Sequence, residues 1–250
     1  MMVQGCGRSR PARKTGAGHG CRHHPSPAHR RAARHPPSGG HRRLAGIDAV
    51  GFAAIVAATN LLIIDVPQPG TPLAEVAAWY AANGGRVGIA TAAYAVNIVL
   101  LMLFASNVRE LVRGDDAARP WSTMGLIGLT ALAVSFGAVT AAQVALVELA
   151  GGGATPAFAA LWALHNAAFS VNVAVLAIAI LGLSIGLHAA GLTPAWQRTL
   201  GVVGAVLLVL GGAGGLGGGA ESPLGLPGLG GFLIWLVWLT TTGVRLLRTR

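Results

Sequence analysis

The side chains able to do chemistry in this sequence are few, and most of them lie inside long apolar runs. Asn60, Asn97, Gln143, His165, Asn166, Ser170 and Asn172 are polar groups set among Ala, Val, Leu and Ile. A polar side chain in such a run usually faces other protein rather than hydrocarbon, and it can mark a ligand site or a pathway. At 1.5 Å per helical residue, Asn60 and Gln143 fall ~6 to 8 Å below the outer ends of their segments and His165 ~12 Å below. The expectation is an outer-leaflet polar layer made by these three, with Asn97, Asn166 and Asn172 as further candidate ligand contacts. His165 and Asn172, at i and i+7, share a helix face. The competing expectation is that uncharged polar groups simply bond between helices, at ~0.6 kcal/mol each.

Other chemistries have less to stand on. Cys6, His19, Cys21, His23 and His24 are of metal-ligating type, but their spacing fits no close-paired zinc pattern. Six of the eight histidines precede Leu44 beside nine arginines, which reads as biased composition, so no metal is expected. His165 and His188 are 23 residues apart, ~34 Å along a helix, too far to clasp one haem. No span holds Ser-x-x-Lys, His-Glu-x-x-His or a pair of carboxylates, and the one acid inside a span is Asp48. The glycine run from Gly211 lacks the Gly-Lys-Ser/Thr of a phosphate loop. The expectation is a protein that is not an enzyme and carries no cofactor.

The elements that must position these residues follow from composition. The chain of 250 residues is 53% hydrophobic and 10% charged, against about 25% charged in an ordinary soluble domain. Uncharged stretches run from Val87 to Val108, Pro120 to Val147, Leu149 to Gln197, Thr199 to Ala220 and Ser222 to Val244. Crossing ~30 Å of hydrocarbon takes about 20 helical residues, so each stretch is long enough. The fold class is therefore an all-α integral membrane bundle of six transmembrane helices, with spans at about 44–64, 87–108, 121–147, 157–187, 200–219 and 229–246. The fourth, at 31 residues or ~46 Å, must tilt or protrude.

Between the first two spans, Thr71 as N-cap and Pro72 at the first helical position start a short helix that Asn83-Gly84-Gly85 should end. Leu73, Val76, Ala77 and Tyr80 share one face, so this helix is expected along the membrane surface, in the first outer loop. Asp48 is expected in the first turn or so of its span, where the helix dipole favours a carboxylate. Gly211, Gly215 and Gly219 repeat at four-residue spacing, which serves either packing within the chain or a homo-oligomer contact through the fifth span.

Residues 1–43 hold ten of the eighteen basic side chains and no acid, leaving eight of each sign for the remainder. This Arg-, His-, Pro- and Gly-rich tail has almost no large apolar residue to build a core and reads as disordered. Its composition also matches translated upstream sequence from GC-rich DNA, so a start codon further along is a second reading. Because the excess charge is confined to the tail, nucleic acid is not an expected partner; membrane lipids are. With the amino end inside, cytoplasmic segments collect seventeen Lys and Arg against Arg86 alone outside, or seven to one without the tail. Both termini are therefore expected in the cytoplasm, and the location is a bacterial inner membrane.

The order of these features, with Pro72-Leu73-Ala74-Glu75-Val76-Ala77-Ala78-Trp79-Tyr80-Ala81-Ala82-Asn83 in the first loop, Asn107-Val108-Arg109-Glu110-Leu111-Val112-Arg113 closing the second span and Gly191-Leu192-Thr193-Pro194-Ala195-Trp196 before the fifth, resembles an uncharacterised family. That family comprises small polytopic membrane proteins of high-GC bacteria, known as a domain of unknown function. The resemblance covers about Leu44 to Arg248 and implies the membrane fold, with no catalytic residues to carry over. The functional expectation is a non-enzymatic membrane protein that binds a lipid, a small apolar molecule or a partner protein. A small transporter or channel using the polar layer is the alternative, and an intramembrane enzyme using His165 a third.

Overall fold

The computed structural model describes residues 39–217 and 225–248; the basic tail before Gly39, Gly219 and most of the turn before the sixth span lie outside the described residues. Six helices follow in order: α1 Gly39–Leu62, α2 Leu73–Val112, α3 Arg119–Ala150, α4 Pro156–Ala189, α5 Ala195–Gly217 and α6 Gly225–Arg248. All six are long and apolar enough to cross a bilayer. Their outward side chains are the apolar ones, with Leu61, Ile127 and Val134 all more than three-fifths exposed, as hydrocarbon rather than water requires. The chain has the architecture of a multi-pass membrane protein.

Local chemistry sets the ends. Thr155 caps α4, its hydroxyl accepting from Phe158 N at 3.2 Å, and Pro156 occupies the first turn, where no N–H is needed. At the other end of α4, Gly191 has φ 71°; Leu192 N bonds Leu187 O and Gly191 N bonds His188 O, both at 2.9 Å. This is a Schellman closure, and it needs a residue at ease in the left-handed region. Before α3, Asp115 Oδ1 accepts from the N–H groups of Ala117 and Ala118, turning the chain into Pro120.

Each helix packs on its sequence neighbours, and α6 returns to α1 to close a ring. The pairings are antiparallel. The start of α1 meets the end of α2 through Asp48 and Asn107, and the end of α6 through Gly46 and Leu247. The start of α3 meets the end of α4 through Ser122 and Gly186, and the start of α5 meets the end of α6 through Gln197 and Thr241. Phe104, Leu129, Ile180, Leu183, Leu208 and Trp238 fill the main core.

The loop helix breaks at Asn83, as expected: Asn83, at φ −114° and ψ 16°, is non-helical and makes a kink across which the loop helix and the second span abut as the two parts of α2. Two expectations need correction. The loop helix begins one residue later than expected, since Pro72 takes the cap position and no side chain caps it. Asp48 is not in a first turn, because α1 begins at Gly39; it is buried and accepts from Asn107 Nδ2 at 3.1 Å.

Candidate functional site

The ring gathers charge at one end. Among the described residues, eight of nine arginines lie at the end that holds the start of α1: Arg42, Arg43, Arg109, Arg113, Arg119, Arg198, Arg245 and Arg248. The opposite end holds Arg86 with Asp65, Glu75 and Glu148.

At the basic end α2 and α3 part to leave a cleft of about 1060 Å³. Its rim is Arg109, Glu110 and Arg113 from α2 and Arg119 from α3, and its wall descends α3 through Leu126, Ile127, Thr130 and Val134 to Ser135. Val134 is 73% exposed, so the cleft opens sideways, toward what would be lipid. Arg113 pairs with Glu110 at 3.1 Å and Arg119 with Asp116 at 3.8 Å, all on the surface. Exposed pairs of this kind are weak, so both guanidiniums stay available to a stronger anion. Along the same outward face of α2, Ile98, Val99, Met102, Leu103 and Ser106 line a second, shallower groove of about 280 Å³.

The cleft exists because α3 is held on its other side. A methyl group at Gly125 would come 2.6 Å from Leu183 N, one at Gly128 2.6 Å from Ala179 N, and one at Gly186 2.7 Å from Ser122 N. Backbones this close are the work of small residues spaced three or four apart, here Gly125 with Gly128 and Gly182 with Gly186. Drawn onto α4, the half of α3 at the basic end leaves α2. The two helices rejoin where Tyr94 donates its hydroxyl proton to Ala133 O and packs its ring 5.4 Å from Phe136, the level at which the cleft ends.

The residues singled out from sequence are distributed over the bundle. Asn60 is exposed on α1, bonding Val56 O of its own helix at 2.8 Å, and α1 packs on α2 and α6 rather than on α3 or α4. Gln143 is half-buried on α3. His165 is 7% exposed, stacked between Trp162 at 5.3 Å and Phe169 at 6.5 Å, with Nδ1 3.4 Å from Asn166 Oδ1. Ser170 bonds Asn166 O. Asn172 accepts from Ser135 Oγ at 2.8 Å, tying the bottom of the cleft to α4. Asn97 is buried, and its Oδ1, like His165 Nε2 and Tyr80 Oη, has no partner among the described residues. The structure thus joins Asn172 to the cleft and leaves Asn60 apart from His165.

Sequence reasoning missed the arginines of the cleft as binding groups and took them only as signs of orientation. The signal was present: Arg109 and Arg113, at i and i+4, continue the face of α2 that carries Ile98, Met102 and Ser106. Asn107 was missed as well; it bridges His41 Nδ1 at 2.9 Å and Asp48.

At the opposite end Arg86 closes a latch. Its Nε donates to Leu62 O at 2.9 Å, capping α1, while Nη1 and Nη2 reach Asp65 at 3.1 and 2.6 Å and Nη1 reaches Asn83 Oδ1 at 2.7 Å. Trp79 Nε1 adds a bond to Asp65 at 3.3 Å. These bonds, the guanidinium's above all, hold the Asp65 carboxyl down at about 2.

No protein-family model, curated protein or solved structure matches this chain.

Proposed function

We propose that this protein lies in the inner membrane of a bacterium with both termini in the cytoplasm, and that it binds a membrane lipid, without transforming it, in the cleft between α2 and α3. The observation that carries the reading is the cleft's polarity: arginines at one mouth, apolar side chains below, and an open side at bilayer depth. Soluble ligands are met by enclosed pockets reached from water; a groove open along a lipid-facing helix is filled from the bilayer. Orientation is supported by the arginine count at the two ends, since Lys and Arg in short loops stay cytoplasmic.

The test is native mass spectrometry of protein extracted in mild detergent. Wild-type protein should retain lipid adducts, and Val134→Trp, which puts an indole into the open side, should lose most of them. A bare wild type, or a variant that keeps its adducts in full, would end the reading.

A further inference from the structure

We propose that the occupant of this cleft is an anionic diacyl phospholipid, its phosphate held by Arg109, Arg113 and Arg119 and its two chains laid along the two grooves. The inference rests on the lipid reading above and adds the headgroup charge and the number of chains.

The rim decides the charge. Three guanidiniums face one lining carboxylate, Glu110, and Arg109 forms no ion pair among the described residues. Guanidinium forks match phosphate oxygens in pairs, and the same fork tolerates the weak surface carboxylates until a phosphate replaces them. A zwitterionic headgroup would bring its own ammonium beside these arginines and lose much of that gain.

The walls decide the chains. From Arg119 to Ser135 the α3 groove descends ~24 Å, and from Arg109 to Ile98 the α2 groove descends ~17 Å, at 1.5 Å per residue. One leaflet of hydrocarbon is about 15 Å deep, so each groove is long enough for one acyl chain. The two grooves start from the same arginine rim, because Arg109 and Arg113 sit on the face of α2 that continues into Met102 and Leu103.

The experiment offers the full chain, in a non-ionic detergent, phosphatidylglycerol, its single-chain lyso form, phosphatidylethanolamine and inorganic phosphate, and counts bound species by native mass spectrometry. Phosphatidylglycerol should be retained over phosphatidylethanolamine. Arg109→Gln should cut that preference about fivefold, the factor for one arginine at a lipid surface, and Arg198→Gln, at the same end but outside the cleft, should leave it unchanged. Leu103→Trp should erase the advantage of the two-chain lipid over its lyso form. Equal retention of the two headgroups, with both lost in Val134→Trp, would overturn the anionic assignment while the lipid reading survives. An equal effect of Arg198→Gln would mean diffuse attraction rather than a site. Inorganic phosphate that displaces the lipid, in a protein indifferent to both Trp variants, would make this a free-phosphate site. A wild type that retains no lipid would remove both readings.

Discussion

At the scale of single residues, Arg86 and Asp65 show how a charged pair can order one end of a helical bundle, the end opposite the arginine cluster. Leu62 O is one of the carbonyls a helix leaves without an internal partner, and the Arg86 guanidinium supplies the donor that the last turn of α1 lacks. Asp65 then fixes the guanidinium, and Asn83 ties it to the kink in α2. The Asp65 carboxyl titrates at about 2, below the ~3.9 of a free Asp. A folded-state value below the unfolded one means that the contribution is complete above about pH 4 and is lost as pH falls toward 2. The stability difference between wild type and Asp65→Asn in detergent should therefore be constant near neutral pH and shrink between about pH 4 and about pH 2. Thermal unfolding of both proteins across that range checks it, and a gap that keeps its full size at pH ~2 would show that ionisation of Asp65 is not what the latch uses.

At the scale of elements, two surfaces of α3 do opposite things. The face with Gly125 and Gly128 meets α4 backbone to backbone, and the face with Ile127 and Val134 is left open. A methyl at Gly182 would meet the Gly125 backbone and come 2.7 Å from Trp121 O, so it cannot be taken up by a side-chain rotation. Gly182→Ala should cost about 1–3 kcal/mol by overpacking. Gly88→Ala on α2, where nothing lies within 4 Å, should be neutral or stabilise by up to about 1 kcal/mol. Unfolding titrations in a denaturing detergent compare the two, and equal effects would mean that α3 and α4 are not locked by close approach. The first ten residues of α2 also behave unlike a helix lying free on a membrane. Val76, Ala77 and Tyr80 are buried against Leu146, Ala150, Phe158 and Trp162, so that face covers the end of α3 and the start of α4.

At the scale of the whole molecule, the ring makes one end basic, and the end with more positive charge is the one the membrane machinery keeps inside. A reporter fused after Arg250 should register the cytoplasm, and one inserted after Gly152, in the turn between α3 and α4, should register the outside. The reverse pattern would turn the bundle over and move the cleft to the other leaflet. Among the described glycines of α5, Gly212 and Gly215 lie against Ala174 and Ser170 of α4, and Gly211 lies against Gly228 of α6.

The six long apolar helices were legible in the sequence, because hydrocarbon admits so few charges that each such segment announces itself by length and composition. The charge asymmetry was legible too, since it is a count along the chain. The site was not. Depth along a helix can be read from residue number, but the angle at which a side chain leaves the bundle depends on which helices are neighbours, and Asn60 and His165 at similar depth proved to be on helices that do not pack together. In a run where every face is apolar, no hydrophobic stripe separates the core side from the lipid side. Only the close approach of α3 to α4, set by glycines whose partners are far away in sequence, decided that α2 and α3 would part and leave arginines above an open groove.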